Sequence, residues 1–108
     1  YASSSEIPAK IQDALRKAIE LKGKADGARK ALADLVARKA ELASDQSRIR
    51  QNLDAVGRDS SQGQQYLKRL MDSEGELDAL ASRTADARKA SQDAQAAYDN
   101  YLGALNLN

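Results

Sequence analysis

The recurrence of apolar residues every seven positions constrains this chain more than any other feature. Ile7, Ala14, Leu21, Ala28, Leu35, Leu42, Ile49 and Val56 keep that interval, and Ile11, Ala18, Ala25, Leu32, Lys39, Gln46 and Leu53 form a companion series. These are the d and a positions of a heptad repeat. Held over this length, the repeat keeps one stripe of a helix facing a partner helix and imposes a left-handed supercoil. The single proline, Pro8, and the scarcity of β-branched residues leave strands without support.

The pattern pivots within Asp45 to Leu77, DQSRIRQNLDAVGRDSSQGQQYLKRLMDSEGEL. Gly57 suits the left-handed conformation that ends a helix, and Asp59, Ser60 or Ser61 can cap the next one. Ser61 with Gln64 has the spacing of a capping box. Beyond the turn, Leu70, Leu77, Thr84, Ser91, Tyr98 and Leu105 run beside Tyr66, Ser73, Leu80, Ala87, Ala94 and Tyr101, a leaner and more polar seam.

The expected fold is therefore all-α, a long antiparallel two-helix coiled-coil hairpin. A leader, 1–7, in which Ser5 caps the first helix, precedes a single domain, 8–107. The domain comprises helix 8–56 with Pro8 in its first turn, turn 57–60, and helix 61–102 closed by Gly103. Helices of about 45 residues make a rod of about 65 to 70 Å, an arm or spacer. A three-helix bundle with a break near Gly23–Gly27 is the alternative. In the heptad register both glycines fall on outward f and c positions, which favours continuity.

Antiparallel geometry with a short turn pairs residues whose numbers total roughly 119. That sets Ile49 by Leu70, Leu42 by Leu77, Ala25 by Ala94 and Ala18 by Tyr101, with Gln46 facing Ser73 as a polar layer. A pairing slipped by one heptad opposes Leu35 to Leu77 and Leu32 to Leu80, and brings Asp45 near Arg69 and Arg38 near Glu76. It needs a longer turn, so Gly57 and Ser61 favour the first.

Composition excludes most chemistry. The 108 residues hold no His, Cys, Trp or Phe, so the usual general bases, nucleophile pairs and zinc ligands are missing. The glycines match neither phosphate-loop pattern, and no calcium loop is present. Carboxylates such as Asp72, Glu74, Glu76 and Asp78 occur at helical spacing and read as exposed charge. No enzyme activity, cofactor, metal or small-molecule substrate is expected. Seventeen basic and sixteen acidic residues are interspersed, giving a net charge of +1 and no field to hold nucleic acid or an anionic membrane. No apolar run reaches the roughly 18 residues that would span a bilayer. A start at Tyr1 and not Met points to a processed protein or an excised fragment.

Some residues stand out against this background. Lys39 on the seam reads as an aliphatic stem over apolar surface with its ammonium in water. Tyr98 and Tyr101 read as packed aromatics and not as a stacking platform. At e positions, Leu15, Val36 and Ala43 share an edge with Leu67, Ala81 and Leu102 of the return helix, widening the apolar stripe beyond what two helices need. This edge is the candidate interaction surface, for a protein partner or a second copy in a dimer.

The run Asp45-Gln46-Ser47-Arg48-Ile49-Arg50-Gln51-Asn52-Leu53, followed by Tyr66-Leu67-Lys68-Arg69-Leu70, Glu74, Leu77 and the closing Tyr101-Leu102, resembles the helical segment near the C-terminus of bacterial mucoidy-inhibitor-A-like proteins. The resemblance covers roughly Ala31 to Leu107. It departs at Ser73, where related chains carry Gln before the glutamate. It implies a helical appendage of a larger exported or cell-envelope protein, periplasmic in location, built around domains of unknown function. It transfers no catalytic residues.

The function read from the sequence is a non-catalytic coiled-coil structural and protein-interaction module. Two alternatives stay open. One is a nucleic-acid-binding helical arm, supported by the seven basic residues between Lys10 and Lys30 and offset by Asp13, Glu20 and Asp26. The other is a membrane-surface or secretion-associated helix pair.

Overall fold

The structure, a computed structural model, describes residues 8–105. Ser5, Ile7, the rest of the 1–7 leader and Leu107 lie outside the described residues. Two helices, α1 (Ala9–Val56) and α2 (Ser61–Ala104), account for the fold, with no strand among the described residues. The molecule is an all-α helical hairpin.

α1 forms because alanine and straight-chain residues dominate it and no proline interrupts it. Pro8 sits just before it, its carbonyl accepting from the amides of Ile11 at 3.0 Å and Gln12 at 3.1 Å. Proline's missing donor costs nothing there. Gly23 and Gly27 lie inside a single α1, so the chain adopts the hairpin and not the three-helix alternative. Both are exposed, and an added Cβ would meet nothing at either. α2 runs through Gly103 to Ala104, beyond the expected end at Leu102, because Gly103 keeps a helical conformation and does not terminate it.

The chain divides into two compact units, Leu32–Asp86, which holds the turn, and Tyr1–Ala31 with Ala87–Asn108. In Leu32–Asp86 the buried apolar side chains are Leu42, Ile49, Leu53 and Leu80, all heptad seam positions. Fully burying such a side chain contributes roughly 1.5–3 kcal/mol. In the other unit Ala14 and Ala25 are buried, with Ile11, Ala18, Leu21, Ala28, Ala87, Ala94, Tyr98 and Tyr101 half-buried around them. Alanine seams bury less and contribute less. The Tyr101 hydroxyl donates to the Ala14 carbonyl at 3.3 Å, and the Lys17 ammonium lies 5.5 Å from its ring centre. Tyr101 packs in the seam, as its spacing predicts.

The turn is built from Gly57, Ser60 and Gly63. Gly57 has φ 83° and its amide donates to the Leu53 carbonyl at 2.8 Å, the left-handed ending expected of it. Ser60, and neither Asp59 nor Ser61, caps α2: its hydroxyl accepts from the Gly63 amide at 2.9 Å and donates to the Gly57 carbonyl at 2.8 Å. Ser61 and Gln64 do not form the expected capping box, because Gln64 turns outward and donates to the Arg58 carbonyl at 2.6 Å. Gly63 is buried against the Gly57 carbonyl oxygen, where a Cβ would collide.

A polar layer fixes the register. Gln46, 5% exposed, donates from Nε2 to Ser73 Oγ at 2.8 Å and to Glu74 Oε1 at 3.1 Å. The Ser73 hydroxyl donates in turn to the Leu70 carbonyl at 2.9 Å. Such satisfied buried polar groups specify one pairing at some cost in stability. Arg38 also pairs with Glu76, a contact expected of the slipped pairing. The length of the guanidinium arm lets it form without the slip. Asp45 pairs with Arg48 at 3.7 Å and not with Arg69, whose guanidinium lies over Tyr66.

Candidate interaction edge

A two-helix seam has two flanks, and in Leu32–Asp86 they differ. On the g flank, Arg38 donates from Nε to Glu76 Oε2 at 2.8 Å and from Nη2 to Oε1 at 3.1 Å, a two-pronged bridge between the helices. Hydrogen bonding from Arg38 holds the Glu76 carboxyl below its ordinary value, and Glu76 raises that of Arg38. On the e flank, Val36, Ala43 and Ala81 are exposed and Leu67 is half-buried. The flank is not one uniform stripe. Glu74, between Ala81 and Leu67, turns its carboxylate to Gln46, and Arg50, after Ala43, approaches Gln46 Oε1 at 3.5 Å.

In the unit made of Tyr1–Ala31 and Ala87–Asn108, Leu15 and Leu102 stand at the e positions of its own seam, 53% and 42% exposed; in Leu32–Asp86, Val36 is 47% exposed. Farther along this flank Arg29 donates to Gln95 Oε1 at 3.1 Å, so polar contact replaces apolar surface. The most exposed large apolar side chains are two that the heptad bookkeeping of a and d misses, Ile19 and Met71. Each follows an edge leucine, Leu15 or Leu67, by four residues, and therefore lies beside it on the same helix face. That spacing is the signal that identifies them.

The basic residues between Lys10 and Lys30 are largely matched by acids on their own helix. Arg16 pairs with Asp13 at 3.0 Å, Lys24 with Glu20 at 3.4 Å, and Lys22 and Arg29 both with Asp26, at 2.9 and 3.2 Å. The Lys22 hydrogen bond leads the causes that lower the Asp26 carboxyl from its ordinary value. On α2 Lys89 pairs with Asp93 at 2.8 Å, which raises the lysine. These are solvent-exposed pairs of small energetic weight. Lys39 is half-buried on the seam.

Among the described residues no group of three or more acidic side chains is placed to hold a metal ion, and no helix is long and apolar enough to cross a membrane. Comparison with known proteins decides no family. No family model, curated protein or solved structure matches the chain.

Proposed function

We propose that the chain is a non-catalytic structural and protein-interaction hairpin, an appendage of a larger bacterial protein, which docks through the e flank of its seam. The observation that carries this reading is the contrast between flanks in Leu32–Asp86. One is closed by the Arg38–Glu76 bridge, while the other leaves Val36 exposed beside Ala43 and Ala81. Exposed aliphatic side chains grouped along one edge mark a surface that is covered in the working assembly. A composition without His or Cys supports a role other than catalysis. The resemblance of Asp45 to Leu53 and Tyr66 to Leu70 to mucoidy-inhibitor-A-like proteins supports an envelope protein as the parent. The occupant of the edge is a protein, either a neighbouring domain or a second copy.

Sedimentation across a wide concentration range, with hydrophobic-dye binding, tests the edge. Leu15→Gln with Val36→Gln is expected to abolish association and dye binding while helix content is unchanged. A wild-type chain that stays monomeric at high concentration and binds no dye overturns the reading.

A further inference from the structure

Both helices keep the seven-residue interval, so sliding one past the other by a heptad returns every a and d residue to the seam. The slide amounts to about 10 Å along the axis. Within Leu32–Asp86 the observed pairing is held near the turn by polar contacts, and farther from the turn it sets leucines level with Thr84 and Lys39. Near the turn, Gln46, Ser73 and Glu74 satisfy one another, and Gly63 closes on Gly57.

Counted from the Gln46–Ser73 bond, Leu35 stands level with Thr84 and Lys39 with Leu80. Thr84 is 3% exposed, and its hydroxyl has no hydrogen-bond partner among the described residues. Leu32, Leu35 and Leu77 remain only half-buried. After a one-heptad slide Leu35 meets Leu77, Leu32 meets Leu80 and Leu42 meets Leu70, while Lys39 meets Ser73. Arg38 stands level with Ala81 yet is bonded to Glu76, which the slide would bring nearer its own level. The leucines thus favour one pairing, the polar layer and the turn favour the other, and the Arg38–Glu76 bridge, already made in the observed pairing, is kept in both.

We propose that the hairpin is a two-register device, held in the observed pairing by the Gln46 hydrogen bonds and the Gly57–Gly63 turn, and able to slide by one heptad into a pairing that sets Leu35 on Leu77 and Leu32 on Leu80. The second register is a minor state of the free chain, which any factor that loosens the turn or the polar layer populates.

The absence of cysteine makes disulfide trapping clean. Ala25→Cys with Ala94→Cys reports the observed register, and Ala25→Cys with Ala87→Cys the displaced one. All three alanines are seam residues of one compact unit, so no leucine is lost. A disulfide needs Cα atoms within about 7 Å, less than the slide itself, so each pair reads one register. Under mild oxidation of dilute protein, both pairs are expected to close within the chain, the 25/94 pair faster, and the oxidised 25/87 species to keep its helix content. Gln46→Ala with Ser73→Ala should speed 25/87 closure about fivefold, and Thr84→Leu, which fills the level of Leu35 in the observed register, should slow it by a similar factor. Failure of 25/87 to close while 25/94 closes overturns the proposal. So does loss of helix in the trapped 25/87 species, or a closure rate indifferent to both sets of changes, which would mark simple fraying.

Discussion

Thr84 and Gly63 show how much single atoms decide in so thin a core. The Thr84 hydroxyl is buried without a partner among the described residues, and an unmade hydrogen bond costs on the order of 1–3 kcal/mol. Thr84→Val keeps the branched shape and removes the orphan, so it should raise stability by about 1 kcal/mol in urea denaturation with an unchanged slope. An unchanged or lower midpoint would show that the hydroxyl is satisfied in solution. Gly63 presents the opposite case. Its missing side chain lets α2 start directly against the Gly57 carbonyl, and a methyl group there collides with backbone, which cannot yield as a flexible side chain can. Gly63→Ala should destabilise by roughly 1–3 kcal/mol, the usual range for overpacking, whereas Ser60→Ala, which removes the cap, should cost about 1 kcal/mol. Equal stability of Gly63→Ala and wild type would mean that the turn is looser than Ser60 and its two hydrogen bonds indicate.

At the scale of the element, three of the four remaining helical glycines, those away from the helix ends, have nothing to recommend them locally. Gly23, Gly27 and Gly75 are exposed inside helices, with open space where a Cβ would stand. Replacing each by alanine should stabilise by about 0.5–1 kcal/mol through backbone entropy, measured as an upward shift of the thermal midpoint. A midpoint that does not rise at a site would mean that its glycine does something for the folded chain that the open space around it does not show. The helices themselves were legible because a seven-residue repeat is a strong, redundant signal. Nearly every described a and d residue is buried or half-buried, and Val56, at the turn, is the exposed exception. The turn was legible only in part. Residue type alone marks Gly57, but Asp59, Ser60 and Ser61 are chemically alike as caps, and only the approach of Gly63 to Gly57 selects Ser60. The edge residues followed from the repeat as well. Ile19 and Met71 did not, because their exposure depends on what fails to cover them.

The ion pair between the helices, Arg38 with Glu76, carries a pH signature. The Glu76 carboxyl is lowered in the fold from an ordinary 4.5 by Arg38. A carboxyl with a depressed folded value stabilises the fold above its ordinary value, and that contribution is lost as pH falls through the lowered one. Stability should therefore decline below about pH 4.5, and Glu76→Gln should flatten that acid limb while leaving the alkaline side unchanged. Both groups are exposed, so the effect should shrink in high salt. An acid limb identical in Glu76→Gln would assign it to other carboxylates, Asp26 foremost.

Across the whole molecule, stability should be uneven, because the two units draw on different side chains. Leu32–Asp86 buries Leu42, Ile49, Leu53 and Leu80 and adds the Gln46 layer, whereas the unit of Tyr1–Ala31 and Ala87–Asn108 buries Ala14 and Ala25. Local opening free energy follows buried apolar contact, so amides in the alanine-lined unit should exchange at least tenfold faster than those between Leu32 and Asp86. Hydrogen exchange followed by mass spectrometry reads the two segments separately in one experiment. Uniform protection would mean that the helices open as one cooperative body, and the difference in seam composition would then carry no functional weight. A graded pattern has a direct consequence for the role proposed above. The alanine-lined unit, where Leu15 and Leu102 are exposed, would gain most from being covered by a partner, since binding adds stability where the free chain has least. Protection should then rise there first when a protein that docks on the edge, or a second copy, is supplied.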